Sequence, residues 1–172
     1  MTISAGPALQ QYDSRGGSAV LELVHAAFPR LSCSGHVVLT EFVRAGDQLG
    51  SPDSFARRVG LRSRFQLSRL FRREGLPPFE QLANWCRVMT WVERAERTGV
   101  SLCRQATDVG ADPAAWYRVV RTVTGLPWRT VRQHGCAWLV LQLGEQLPRA
   151  VRTLAMLIPL PFSLVVTSVL SA

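Results

Sequence analysis

Lysine is absent from this chain: all twenty basic side chains are arginine, set against twelve acidic ones and a formal charge of +8. A GC-rich coding bias explains most of that absence. It does not explain why seven of the arginines fall between Ser54 and Glu74. Cysteine is scarce, and Cys33, Cys86, Cys103 and Cys136 stand at no metal-ligand spacing. This excludes a disulfide scaffold and a zinc ribbon. Cys33-x-x-His36 is the one Cys/His cluster, and without a second pair it reads as a chance spacing, so no metal is expected. His25, His36 and His134 lie in different segments, and there is no nucleophile elbow, P-loop or zinc signature. No enzyme and no cofactor are therefore expected. The first twenty residues lack a basic start followed by an apolar run, so the expected location is the cytoplasm, with reduced cysteines.

What is present is a strongly basic chain with a sequence pI near 10.8, which calls for an anionic partner, nucleic acid or a membrane surface. Arginine suits the first because its planar fork donates two parallel hydrogen bonds to phosphate or guanine. The basic stretch splits into a short helical pattern (Phe55, Ala56, Val59), a break at Gly60 and a stronger one (Leu67, Leu70, Phe71). Two short helices joined by a Gly-containing turn, the second rich in arginine, form the pattern of a DNA-reading helix-turn-helix.

The periodicity predicts an all-α chain. Residues 1–17 carry unpatterned glycines and are expected to be disordered. Helices are expected over Ser18–Phe28 and His36–Arg44, too short for a separate ligand-sensing domain and therefore packing partners for the later helices. Ser51-Pro52 starts the next helix as N-cap and first helical residue. Ser63 and Gln66 match a capping box for the helix ending near Arg73. A long helix runs from Pro77-Pro78 to about Thr98, with Leu82, Trp85, Cys86, Met89 and Val92 as its buried stripe. Ser101 then caps a short helix to Val109, Gly110 breaks it, and Asp112-Pro113 starts another that runs to Gly125. Pro127–Gln133 forms a last short one. The unit thus occurs twice, about fifty residues apart, as a weak internal repeat.

Laid out in this way, Ser51–His134 resembles the DNA-binding domain of AraC/XylS-type transcription regulators. The likeness rests on Ala56, Val59-Gly60, Ser63, the run Leu67-Ser68-Arg69-Leu70-Phe71-Arg72-Arg73, Gly75, Pro78 and Arg87 in the first half. In the second half it rests on Ser101-Leu102, Ala106, Val109-Gly110, Asp112, Trp116, Arg118, Gly125 and Arg132. The resemblance implies two helix-turn-helix units joined by one long helix, a homeodomain-like tandem. It implies a sequence-specific transcription regulator whose recognition helices, about 64–73 and 113–124, enter successive major-groove segments. The second unit departs further from the family pattern: Ala111 replaces an aromatic, Val120 a phenylalanine and Gln105 an aliphatic residue, while Trp128 takes a place more often held by proline.

Helical spacing puts Arg62, Phe65, Arg69 and Arg72 on the outward stripe of the first recognition helix, with Ser68 and Gln66 beside it. The resemblance places Phe65, Ser68 and Arg69 at base edges, and Ala114, Ala115 and Arg118 at the equivalent positions of the second. Arg57, Arg58, Arg62, Arg72 and Arg73, with Arg121, Arg129 and Arg132, are expected to contact phosphates, which fix register without reading sequence. Sequence preference is expected to come mainly from the first unit. The long helix of about twenty residues spans about 30 Å, close to one DNA turn of about 34 Å. A monomer could therefore reach two groove segments. Double-stranded DNA is the expected partner, with RNA polymerase a further candidate. Trp85 and Trp116 are expected in the core.

The expected organisation is an N-terminal extension (1–34), a DNA-binding domain (35–135) and a hydrophobic C-terminal extension (136–172) containing an apolar helical tail. Residues 153–172 carry no charge and approach the length of a membrane span, preceded by Arg149 and Arg152. Pro159 and Pro161 interrupt them, so a helix packed back on the domain or an interaction surface is preferred to a membrane anchor. The alternative to a regulator is a protein-interaction or membrane-tethered module that keeps the fold with weak or no sequence-specific DNA binding.

Overall fold

The computed structural model describes residues 13–146. They form eight α-helices and one 3-10 turn, and no strand occurs among them. The helices are α1 (Asp13–Ala27), α2 (Cys33–Ala45), α3 (Pro52–Arg58), α4 (Arg64–Glu74), α5 (Phe79–Thr98), α6 (Leu102–Asp108), α7 (Pro113–Thr124) and α8 (Trp128–Gln146), with the 3-10 turn at Gly46–Gln48 after α2. The all-α expectation is met for the described residues. Disorder through residue 17 is not, because α1 already begins at Asp13 and runs through Gly16 and Gly17.

Local chemistry sets the starts and stops. The Ser51 hydroxyl accepts from the Ser54 amide at 3.2 Å with Pro52 in the first turn, and Ser101 accepts from the Arg104 amide at 3.2 Å. The Asp112 carboxylate accepts from the amides of Ala114 and Ala115 at 2.9 and 3.2 Å. The breaks after α3 and α6 share one geometry. Leu61 N–H donates to the Ala56 carbonyl and Gly60 N–H to that of Arg57. Ala111 and Gly110 repeat this with Ala106 and Thr107. This is the Schellman closure, and Gly60 (φ 79°) and Gly110 (φ 71°) occupy the left-handed position it requires.

The capping box at α4 forms in a shifted version. Gln66 N–H reaches the Ser63 hydroxyl at a long 3.5 Å, while the Gln66 side chain reaches past Ser63 to accept from the Arg62 amide at 2.8 Å. The turn is one residue longer than its counterpart before α7, which brings Arg62 into reach. Asp53, from the first turn of α3, adds a cap that sequence spacing does not reveal: it accepts from the Arg64 amide at 3.2 Å.

One continuous core runs through the whole described chain, from Val20, Val24 and Phe28 of α1 to Leu139, Val140 and Leu143 of α8. The 20-residue α5 is its axis, with Leu82, Trp85, Val88, Met89, Trp91 and Val92 all buried. Beyond the expected stripe, Val88 and Trp91 are also enclosed because α5 is packed against α1, α2, α7 and α8. Packing therefore continues across both expected boundaries, 34/35 and 135/136. α8 crosses the second one with a kink at Gly135 (φ 82°, ψ 176°), beyond which Glu96 of α5 accepts from the Cys136 amide at 3.0 Å and caps the second segment. Burial, aided by Glu93, raises the Glu96 pKa above the usual glutamate value, with the Cys136 N–H opposing. Burial also pushes the Cys86 thiol up to about 12, so it is an inert core thiol.

The repeat is visible in three dimensions. Phe42 of α2 packs on Phe55, Phe71 and Phe79, with ring centroids 4.4, 5.9 and 5.1 Å away. Forty-nine residues on, Trp91 of α5 stacks on Trp116 of α7 at 4.0 Å and 12°. Phe42 thus gathers α3, α4 and the start of α5, and Trp91 seats α7 on α5. No helix among the described residues is long and apolar enough to cross a membrane. The apolar segment 153–172, and with it the anchor and packed-tail readings, lies outside the described residues.

Candidate nucleic-acid interface

The outer face of α4 is set by which of its residues the core takes. Leu67, Leu70, Phe71 and Glu74 are buried, leaving Phe65, Ser68, Arg69, Arg72 and Arg73 exposed. Phe65 is the most exposed large apolar residue of the described chain, at 66%. The Arg64 guanidinium lies 5.2 Å from its ring centroid. Arg57 and Arg62 are exposed on the turn side of the same face. Among the described residues, no carboxylate forms an ion pair with Arg57, Arg62, Arg64, Arg69 or Arg72.

Two of the expected phosphate contacts are otherwise engaged. Arg58 is exposed but held along the end of α2: its guanidinium donates to the carbonyls of Gln48 and Leu49, lies 3.4 Å from Glu41 and covers the Phe55 ring. It ties α3 to the end of α2, and the sequence pattern, which sees only an Arg-Arg pair, could not distinguish it from Arg57. Arg73 donates to Glu74 at 3.1 Å.

Glu74 is the residue that sequence reasoning missed. It looked like the acidic end of a basic run, yet it is 8% exposed and accepts from both the Ser32 amide (3.0 Å) and the Ser32 hydroxyl (2.8 Å). Ser32 is itself the N-cap of α2. Burial works against the Glu74 charge, but the bonds from Ser32 and Arg73 outweigh it and hold the carboxyl below the usual glutamate range. The C-terminal end of the arginine-bearing α4 is thereby fixed to the N-terminal end of α2. No local signal could have shown this, because the partners are 42 residues apart.

The corresponding face of α7 is weaker. Trp116 and Val120 are buried, Ala114 and Arg118 are exposed, and Ala115 is half-buried. The Arg118 guanidinium lies 3.5 Å from the Asp112 carboxylate that also caps α7. Arg104 of the preceding helix pairs with Asp108 at 2.7 Å. Arg121, Arg129 and Arg132 are exposed, and none pairs with a carboxylate among the described residues. Gln105 occupies a fully enclosed place, its amide donating to the carbonyls of Trp91 (3.1 Å) and Val100 (3.3 Å).

His25 and His36, distant in sequence, meet edge to face at 5.2 Å, with His25 Nε2 3.0 Å from the Thr40 hydroxyl. Burial, then the neighbouring His36, lowers the His25 pKa. The pair lies between α1 and α2, away from the arginine face of α4. No three potential metal-ligating side chains gather among the described residues. No protein-family model, curated protein or solved structure matches this chain.

Proposed function

We propose that this chain is a sequence-specific, double-stranded DNA-binding transcription regulator. It is a homeodomain-like tandem in which α3–α4 and α6–α7 are two helix-turn-helix units and α5 is the bar between them. One observation carries the reading: the exposed face of α4 and the turn before it carries Arg62, Arg64, Arg69 and Arg72 with exposed Phe65, and none of these arginines pairs with a carboxylate among the described residues. A lone exposed phenylalanine is ordinary; one with a guanidinium against its ring, on a face of unpaired arginines, suits a groove lined by base edges and phosphates. Arg69 is placed to pair bidentately with guanine, Phe65 to touch a thymine methyl, and Ser68 to adjust either. Arg57, Arg62 and Arg72 supply backbone contacts on this side, where Arg58 and Arg73 would first have to leave Glu41 and Glu74, and Arg121, Arg129 and Arg132 supply them on the other. Ala114 and Ala115 offer only methyl groups, so direct readout by α7 falls to Arg118, which must exchange Asp112 for a base.

Selection of bound duplexes from a random pool, repeated with two variants, tests this. Arg69→Ala is expected to relax preference within one half of the site, at about 1–3 kcal/mol of discrimination. Arg118→Ala should weaken binding with little change in preference. Wild-type affinity should fall linearly on a log–log plot against salt, and a chain with no salt-dependent affinity for duplex DNA is not this regulator. The second reading, a protein-interaction module on the same fold, is favoured by the pairing of Arg118 with Asp112 on the second unit's face and by Val109, 59% exposed beside it. It predicts that silent outcome.

A further inference from the structure

Each recognition helix has a cleft along one flank, and the two clefts occupy the same place in the two copies of the repeat. The first, about 530 Å³, lies between Pro52 of α3, the Arg64/Ser68/Arg72 edge of α4 and Pro78-Phe79 at the start of α5. The second, about 450 Å³, lies between Ser101 before α6, Tyr117 of α7 and Trp128 at the start of α8, with Arg129, Arg132 and Gln133 on its wall. Counted from the helix caps Ser63 and Asp112, Ser68 and Tyr117 hold the same position. Phe79 and Trp128 likewise each open the helix after a proline.

The positive charge arrives from different sides. In the first cleft it comes from the recognition helix, through Arg64 and Arg72. In the second it comes from the following helix, through Arg129 and Arg132. At the matching positions, Pro113 stands where Arg64 would, and Glu80 and Ala83 stand where Arg129 and Arg132 would; Arg72 alone has an arginine as its counterpart, Arg121, which is not on the wall of the second cleft. Different lining arginines therefore give one result, an aromatic-lined cleft with two guanidinium groups, unpaired among the described residues, beside each recognition helix.

The geometry points to a repeated occupant, and we infer that each cleft seats the sugar–phosphate strand bordering the groove its helix enters. This rests on the DNA reading above and extends it to Arg64 and Tyr117, to which that reading assigns no contact. The guanidinium groups meet phosphate oxygens, the Phe79 and Trp128 walls pack against deoxyribose, and the exposed Tyr117 hydroxyl donates to a phosphate. A strand returns to the same side of the groove after about 34 Å, and the 20-residue α5 between the clefts spans about 30 Å.

The test measures the full chain on a selected duplex across a salt series. Arg64→Gln and Arg129→Gln should each lower the log–log salt slope by about 0.9 and leave base preference unchanged. Tyr117→Phe should weaken all duplexes alike, about five-fold, with the slope intact, as expected for one neutral hydrogen bond. All three positions are at the surface, so the fold should survive, and circular dichroism checks it. Wild-type binding with slopes unaltered in both arginine variants overturns the strand seat while leaving the regulator reading standing. Absence of any salt-dependent wild-type binding overturns both. Saturable binding of dodecanoate lost in Arg64→Gln, with the DNA slope unchanged, gives the first cleft to an apolar anion and overturns the seat as well.

Discussion

Gln105 is a polar residue in a place whose neighbours are all apolar. Its amide nitrogen is satisfied by two carbonyls, but its Oε1 is buried without a partner. An unsatisfied buried acceptor costs about 1–3 kcal/mol, and the Trp91 carbonyl belongs to α5, whose own ladder can serve it. Gln105→Leu should therefore stabilise the fold by about 1 kcal/mol, read as a higher urea midpoint at unchanged m-value; a lower midpoint would mean that the bridge to Trp91 and Val100 outweighs the orphan. The sequence flagged Gln105 as unusual but not why it is tolerated, since that depends on which carbonyls α5 and the loop after it present. The exposed arginines were more legible, because helical spacing alone assigns the outward stripe. The engagement of Arg58 was not legible: it depends on the carbonyls of Gln48 and Leu49, which no periodicity encodes.

At the scale of elements, most helix starts that depend on a near neighbour are legible in the spacing: Ser51, Ser63, Ser101 and Asp112 all cap, while Ser32 caps an α2 that begins at Cys33, ahead of the expected His36 start. Caps supplied from elsewhere are not, and Asp53, Glu96 and Glu74 are the three cases. Glu74 gives a test with a pH signature. Its folded pKa is depressed, so its stabilisation is fully present above the ordinary glutamate pKa of about 4.3 and is lost as pH falls through the lower folded value. Glu74→Ala should cost about 2 kcal/mol near pH 7, in the range for hydrogen bonds to a charged group. The gap from wild type should close in acid below about pH 4. A gap that stays constant across that window would assign the cost to packing around Gly35 and Leu31 rather than to the charge.

For the molecule as a whole, the fifty-residue repeat is read from local marks, and the burial that joins the two ends of the described chain is not. The repeat shows in glycines, prolines and caps, which are local marks. The boundaries depend on what α1 and α8 bury, and both ends close on α5. A fragment of residues 35–135 would lose Val20, Val24, Phe28 and Leu31 on one side and Leu139, Val140 and Leu143 on the other, all of them buried. The full chain is expected to unfold in one cooperative transition, and that fragment to show no sigmoidal transition in urea. A fragment melting as sharply as the parent would mean that the two flanking helices are accessories.

The stacked pair Trp91 and Trp116 joins α5 to α7, with nearly parallel indole planes. Two indoles that close share their electronic transitions, so the pair acts as one coupled chromophore whose circular dichroism couplet depends on their mutual angle. The molecule thus carries an intrinsic optical gauge of how α7 is seated on α5. That gauge is independent of any label, and a ligand held at the α4 face alone would leave it unchanged.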